Sequence, residues 1–274
     1  MKRIAVLTCA ALFAAALCGE ETGLRYTLGT GKFENDSAWS GRWNLAEAFG
    51  TLLEDQLVQG GRFLTVESAE GKSHAQVSVK GAIVRVEEAQ GLKGGGFGFK
   101  GISFNPELGA AEVEVSVTVA GSAQDGVKSQ KTFTGKSHKG SVPLSRGNSS
   151  WSLLTEMPGL EKDRIGGALS DAVNQAASFV ESQLGSIVWQ GSVAAVKDGK
   201  LVVNRGARDG VSVGMKFDVG EMENVVDETS GELLDSEVTT VATVEVVEVK
   251  EKISYTTPFE GAKKGMGVYP AKPE

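Results

Sequence analysis

Cysteine is nearly missing from this chain of 274 residues: there are two, Cys9 and Cys18, both near the start. The body that follows has no thiol for a disulfide, a redox motif or a thiolate metal site, so its stability must come from packing. Histidine is equally scarce, with His74 in Gly71-Lys72-Ser73-His74 and His138 in Lys136-Ser137-His138-Lys139. Neither has a spaced partner, and both read as polar surface loops rather than as a base or a metal ligand. No H-E-x-x-H helix and no full G-x-x-x-x-G-K-[ST] phosphate loop occurs, since Val66 and Gln130 stand where the first glycine would precede the two G-K-S strings. Adjacent carboxylates such as Glu87-Glu88 and Asp227-Glu228 would point to opposite faces of a strand, which disqualifies them as an acid and base pair. The expectation is a non-enzymatic protein with no catalytic residue, no cofactor and no metal.

Long apolar runs are absent beyond the first residues. The chain begins MKRIAVLTCAALFAAALCGEE, in which Lys2 and Arg3 precede an apolar run from Ile4 to Leu17. That run is too short to span a bilayer comfortably and reads as a secretory signal peptide over residues 1–18, cut near Ala16 or Cys18. Cys18 is the candidate lipidation site, although Leu17 directly before it departs from the small residue that lipoprotein cleavage prefers. Loss of Lys2 and Arg3 takes the formal charge from −7 to −9. An excess of negative charge argues against nucleic acid or anionic lipid as a partner.

What is present is periodicity. Leu45, Ala48, Phe49, Leu52, Leu53 and Leu57 recur at helical spacing, with Asn44 and Glu47 placed as a capping box and Gly60-Gly61 as the stop. A second stripe, Ile165, Ala168, Leu169, Ala172, Val173, Ala176, Val180 and Leu184, predicts a helix from about Lys162 to Leu184. Strands are expected over Arg25 to Thr30, Arg62 to Glu67, Val77 to Glu87 and Ala111 to Val119. In the last of these, Val113, Val115, Val117 and Val119 alternate with Glu112, Glu114, Ser116 and Thr118, which predicts one wet face. The order implies an α/β domain, a mixed sheet flanked by helices, over residues 22–186.

After Gly185 the texture changes to short β runs separated by turns at Asp198-Gly199, Asp209-Gly210 and Ser230-Gly231. A long strand from Val238 to Val249 slips its apolar phase between Val246 and Val247, as a β-bulge does. Residues 187–272 are therefore expected to form a small all-β barrel. A proteolytic cut is expected between Gly185 and Ser192, with residues 190–274 folding alone.

One string invites a nucleotide reading: Gly96-Phe97-Gly98-Phe99-Lys100-Gly101 spells G-x-G-x-x-G. That fingerprint needs a helix directly after it to aim amides at the pyrophosphate. Here Ile102, Phe104, the turn Asn105-Pro106-Glu107-Leu108-Gly109 and the valine strand follow instead. A hairpin fits better, with Phe97, Phe99, Ile102 and Phe104 as candidate contacts to a subunit or membrane.

These pieces resemble the curli production assembly/transport component (CsgG) family. The resemblance covers most of residues 25–190 and is carried by "LGTGKFEND", "LAEAFGTLLEDQLVQGGRFLTVES", "VKGAIVRVEE", the glycine-rich hairpin and "IGGALSDAVNQAASFVESQL". The tail "GSVAAVKDGKLVVNRGARDGVSVGMKFDVGE" is similar to the C-terminal β module of the flagellar assembly protein T family. The resemblance implies a lipid-anchored periplasmic domain that assembles into a ring, a homo-oligomer among other cell-envelope proteins. Pore-forming members of the family lend two β-hairpins per subunit to an outer-membrane barrel that exports unfolded protein. It also implies that Trp39 and Trp43 occupy the place of a constriction loop, which is short here. The region for a second hairpin, "VKSQKTFTGKSHKGSVPLSRGNSSW", carries Lys128, Lys131, Lys136 and Lys139 and shows no apolar alternating face. Each lysine exposed to lipid near mid-bilayer would cost about 2 to 4 kcal/mol. The expectation is a scaffold or ring at the periplasmic face of the outer membrane. A complete secretion channel and a soluble periplasmic binding module are the alternatives.

Overall fold

Strand β1 (Tyr26–Thr30) is followed by β2 (Glu34–Asn35), α1 (Leu45–Gln59), β3 (Phe63–Thr65), β4 (Val77–Glu88), β5 (Ala111–Gly121), β6 (Lys128–Ser137) and α2 (Arg164–Ser182). The computed structural model describes residues 23–65, 75–88, 111–121, 128–137, 157–227 and 233–271. The signal segment with Cys18, both histidines, Lys139, the Ser230-Gly231 turn and the glycine-rich segment with Phe97, Phe99, Ile102 and Phe104 lie outside the described residues.

The sheet is mixed, in the order β3-β1-β4-β5-β6 with β2 beside β4. Strand β1 runs parallel to β3 and β4, and β5 runs antiparallel to its two neighbours β4 and β6. The valine alternation of β5 buries Val113, Val115, Val117 and Val119 in one apolar core with both helices. Its other face turns Glu112, Glu114 and Ser116 outward, where Arg85 bridges to Glu114 (2.8 Å) and Glu87 (2.9 Å) and Lys136 to Glu112 (3.0 Å). Hydrogen bonding to Glu114 holds the Arg85 guanidinium above its ordinary pKa. This half-exposed ladder contributes little to stability, because solvent screens it.

Each helix starts where a side chain satisfies its free amides. Asn44 Oδ1 accepts from the Glu47 N–H (3.3 Å) while its Nδ2 donates to Glu47 Oε2 (2.9 Å), and Asp163 Oδ1 accepts from the Ile165 N–H (2.9 Å). Short 3₁₀ turns at Leu160–Lys162 and Gln183–Ser186 flank α2, so the regular helix is shorter than its apolar stripe.

Strand β6 corrects the expectation for residues 128–137. Its inner face is Phe133, Gly135 and Ser137, all buried, so the alternation exists but uses only one large apolar side chain. Helix α2 lies directly on it. A Cβ at Gly135 would fall 2.0 Å from the Ala168 carbonyl oxygen and 2.5 Å from the Ala172 nitrogen. The outward edge of β6 is capped by the same helix: Asp171 Oδ2 accepts from the Lys136 N–H (3.0 Å) and Gln175 Nε2 donates to the Thr134 carbonyl (3.1 Å). Covering an edge in this way blocks unwanted strand pairing.

Strands β7 (Gly191–Lys197), β8 (Lys200–Val203), β9 (Lys216–Val226), β10 (Leu233–Val249), β11 (Ser254–Pro258) and β12 (Gly267–Pro270) close a barrel in the order β10-β11-β8-β7-β12-β9. The fold is thus an α/β unit with a mixed sheet followed by a small all-β barrel, as the periodicities imply. Asp198 and Gly199 take positive φ (51° and 76°) in the turn between β7 and β8, the geometry a two-residue hairpin needs. The β10–β11 register shifts between Val246 and Glu248, where the apolar phase slips.

The connection between the two units is anchored by two buried side chains, Ile187 and Trp189, on either side of the exposed Val188. Ile187 belongs to the first core, and Trp189 to the barrel core, where it stacks on Phe217 with ring centroids 5.5 Å apart. Across the seam, Trp189 Nε1 donates to the Arg25 carbonyl (2.9 Å), Gln76 Nε2 to the Gln190 carbonyl (2.7 Å), and the Tyr26 hydroxyl to the Ile187 carbonyl (3.2 Å). A barrel fragment starting at residue 190 would lack Trp189. Cleavage between Gly185 and Ser192 therefore requires the seam to open.

Burial raises the pKa of the Tyr26 hydroxyl above its ordinary 10.0, against a smaller opposing pull from Arg62. The folded chain then holds this proton more tightly than the unfolded chain does, so the contribution is complete below pH 10.0 and is lost as pH rises through the raised value. Unfolding in urea from neutral to alkaline pH should show the stability advantage of the native chain over Tyr26→Phe shrinking above that point. A constant difference across the range would mean that the hydroxyl does not titrate in the seam.

Candidate functional site

The pairing registers give the α/β unit two unlike ends. Glu88 faces Ala111, and Ala111 faces Ser137. Both long segments outside the described residues, 89–110 and 138–156, are therefore attached at the same end of the sheet. Strand β2 pairs with Ala82 and Ile83 of β4, which puts the following loop, residues 36–44, at that end too. The barrel sits at the opposite end, against Arg25, Tyr26 and Gln76.

This arrangement bears on the glycine-rich string. Strand β4 returns as its antiparallel neighbour β5, whereas a dinucleotide loop leads through a helix to a parallel strand. The local topology is that of a hairpin connection.

The loop between β2 and α1 holds Trp39 and Trp43. Asn35 Oδ1 accepts from the Ser37 hydroxyl (2.6 Å), the Ser37 hydroxyl oxygen accepts from the Trp39 N–H (3.1 Å), and Asn35 Nδ2 donates to the Trp39 carbonyl (3.0 Å). Trp39 Nε1 donates to the Trp43 carbonyl (3.2 Å), and Trp43 Nε1 to the Pro158 carbonyl (3.4 Å). Arg42 lies over the Trp43 ring at 3.9 Å. Trp43 is buried in the α/β core and Trp39 packs against it. Trp39 and Trp43, the aromatics that the resemblance assigns to a constriction loop, here brace the loop, with the Trp43 side chain buried in the core.

Beside this loop a cleft of about 790 Å³ opens between β1, β2 and the start of α1. Its charged lining is Glu34, Asp36, Glu47 and Glu54 against Lys32. Among the described residues no group of three or more His, Cys, Asp or Glu side chains is placed to hold a metal ion. Among the same residues no helix is long and apolar enough to cross a membrane.

Sequence reasoning missed β6 and the convergence of both long connections. The period-two signal Phe133-x-Gly135-x-Ser137 was available for the first. Its weakness is that glycine and serine, chosen for close helix approach, do not register as apolar.

No family model and no curated protein matches the chain. Among solved structures it is similar to a hypothetical protein from Chlamydia trachomatis, with 10% identity over 59% of this chain and 99% of that one and a TM-score of 0.43. It is also similar to the PelC dodecamer from Paraburkholderia phytofirmans, with 14% identity over 57% of this chain and 88% of that one and a TM-score of 0.32. Overlaps of this size transfer neither protein's assembly to this chain.

Proposed function

We propose that the chain is a non-enzymatic component of a curli-type assembly or secretion apparatus, acting in the periplasm at the outer membrane as an oligomeric ring or scaffold subunit. The observation that carries this reading is the two-ended architecture. Both long connections and the tryptophan loop leave one end of the sheet, and the barrel is hydrogen-bonded to the other. A subunit built this way can present one end to neighbours or membrane while the barrel faces other envelope proteins. The sequence resemblance supports the same orientation, since it puts the contact hairpin at residues 89–110.

A second reading, a complete export channel, gains from strand β6. Lys131 and Lys136 are exposed on opposite faces of β6, Lys131 over the Phe133 ring (5.4 Å) and Lys136 against Glu112 (3.0 Å), and Lys128 begins the same strand. All three belong to a strand paired with β5 rather than to a connection between strands, which bears on the lysine objection to a lipid-facing second hairpin.

The test is Phe97→Ser with Phe99→Ser in the full chain, followed by native mass spectrometry and fractionation of envelopes. Loss of the oligomer or of membrane association with an unchanged far-UV spectrum is the expected result. Detergent-resistant, heat-modifiable oligomers in the outer-membrane fraction would favour the channel. An unaltered soluble monomer for both native chain and variant would defeat the ring and leave the binding module.

A further inference from the structure

A second cleft, of about 800 Å³, opens on the barrel where the starts of β7 and β12 meet β9 and the end of β8. Its charge runs against that of the chain. Arg205, Lys263 and Lys264 line it with a single carboxylate, Glu221, although the whole sequence carries a net charge of −7.

Arg205 is fixed there beside a carboxylate that it meets only at long range. Its stem packs on Gly191, where an added Cβ would lie 3.0 Å from the Arg205 Cγ, and its guanidinium lies 5.9 Å from the Trp189 ring. Nη1 donates to the Asn204 carbonyl (3.2 Å). Nε comes no closer than 3.9 Å to Asp209 Oδ1, and both of these buried atoms lack a hydrogen-bond partner. Asp209 is fully buried and also faces Arg208 at 3.5 Å, so one carboxylate is shared between two guanidinium groups. Burial lowers the Arg205 pKa, against an opposing pull from Asp209 and with a smaller push in the same direction from Arg208. A guanidinium fork suits the oxygens of phosphate or carboxylate.

Ser192, Gln190 and the Tyr269 ring edge border the same space, together with Met266 and several glycines. We infer that this cleft binds the phosphate ester of a saccharide, with Arg205, Lys263 and Lys264 holding the phosphate and the neutral groups meeting the sugar hydroxyls. Three cations against one carboxylate match a doubly charged anion, and a cleft of this size has room beyond the phosphate for a polar body. The inference is independent of the ring reading, since it concerns the barrel alone.

Isothermal titration of the full chain with glucose 6-phosphate tests it, with glucose as the uncharged control. Saturable binding of the ester and none of glucose is expected. The double change Lys263→Gln with Lys264→Gln, both on the exposed rim, should weaken it by about tenfold or more while leaving the urea midpoint unchanged. Arg205→Gln should weaken it further. Equal binding of ester and glucose, absence of any binding at millimolar ester, or affinity unchanged in the lysine variant would each overturn the assignment. So would retention on phosphatidylcholine vesicles containing phosphatidic acid without saturable binding of the soluble ester, which would identify a lipid headgroup instead.

Discussion

Gly135→Ala is expected to lower the unfolding free energy by about 3 kcal/mol, at the upper end of the cost of forcing one extra carbon into a packed core. The added Cβ would sit 2.0 Å from the Ala168 carbonyl oxygen and 2.5 Å from the Ala172 nitrogen. Both obstacles are backbone, so no rotamer change relieves them; α2 must lift from β6. Lifting the helix would also stretch the Asp171 and Gln175 bonds that cap the strand edge. Trimming the nearest side chain with Ala172→Gly should not rescue the loss. Gly185→Ala is the matched control, because nothing lies within 4 Å of its added carbon. Urea unfolding followed by circular dichroism measures all three. A loss below about 1 kcal/mol for Gly135→Ala would mean that α2 does not pack on β6 as closely as described.

Trp189→Ala should cost about 3 to 5 kcal/mol, the usual loss for removing a large buried aromatic. The ring is 3% exposed, stacks on Phe217 at an interplanar angle of 9°, and donates across the seam to Arg25. Its removal should therefore do two things at once: open a cavity in the barrel and release the barrel from β1. Proteolysis separates the effects. In the native chain the segment Gly185 to Ser192 should resist cleavage, and in Trp189→Ala it should be cut early. Trp189→Phe can keep a stack but loses the N–H and one ring of the indole, so it should cost less than Trp189→Ala, about 1 to 3 kcal/mol. Equal resistance of all three chains would show that the seam is held without this residue.

Helices α1 and α2, strands β4 and β5, the Asp198-Gly199 turn and the bulge at Val247 were all legible because each is written in short-range pattern. A stripe such as Ile165-Ala168-Leu169-Ala172 has one physical reading, since only a helix puts those residues on one face. The tryptophans were legible only as aromatic character. Whether Trp43 faces solvent or core depends on Pro158 and the α2 entry, more than a hundred residues away. The barrel cleft was not legible at all. Arg205 and Lys263 are nearly sixty positions apart, and neither neighbourhood is unusually basic.

By itself, then, the sequence determined the class of most elements and the order of the α/β and β units. These depend on composition and on periods of two and 3.6, which act within a few residues of one another. Only the tertiary structure decided that β6 joins the sheet, that both long connections leave from one end, that Ile187 and Trp189 anchor the interdomain link in two cores, and that three cations share a cleft in an acidic protein. Each of these is set by strand register and by which backbones approach closely. Such choices are made between residues distant in the chain, where local pattern exerts no constraint.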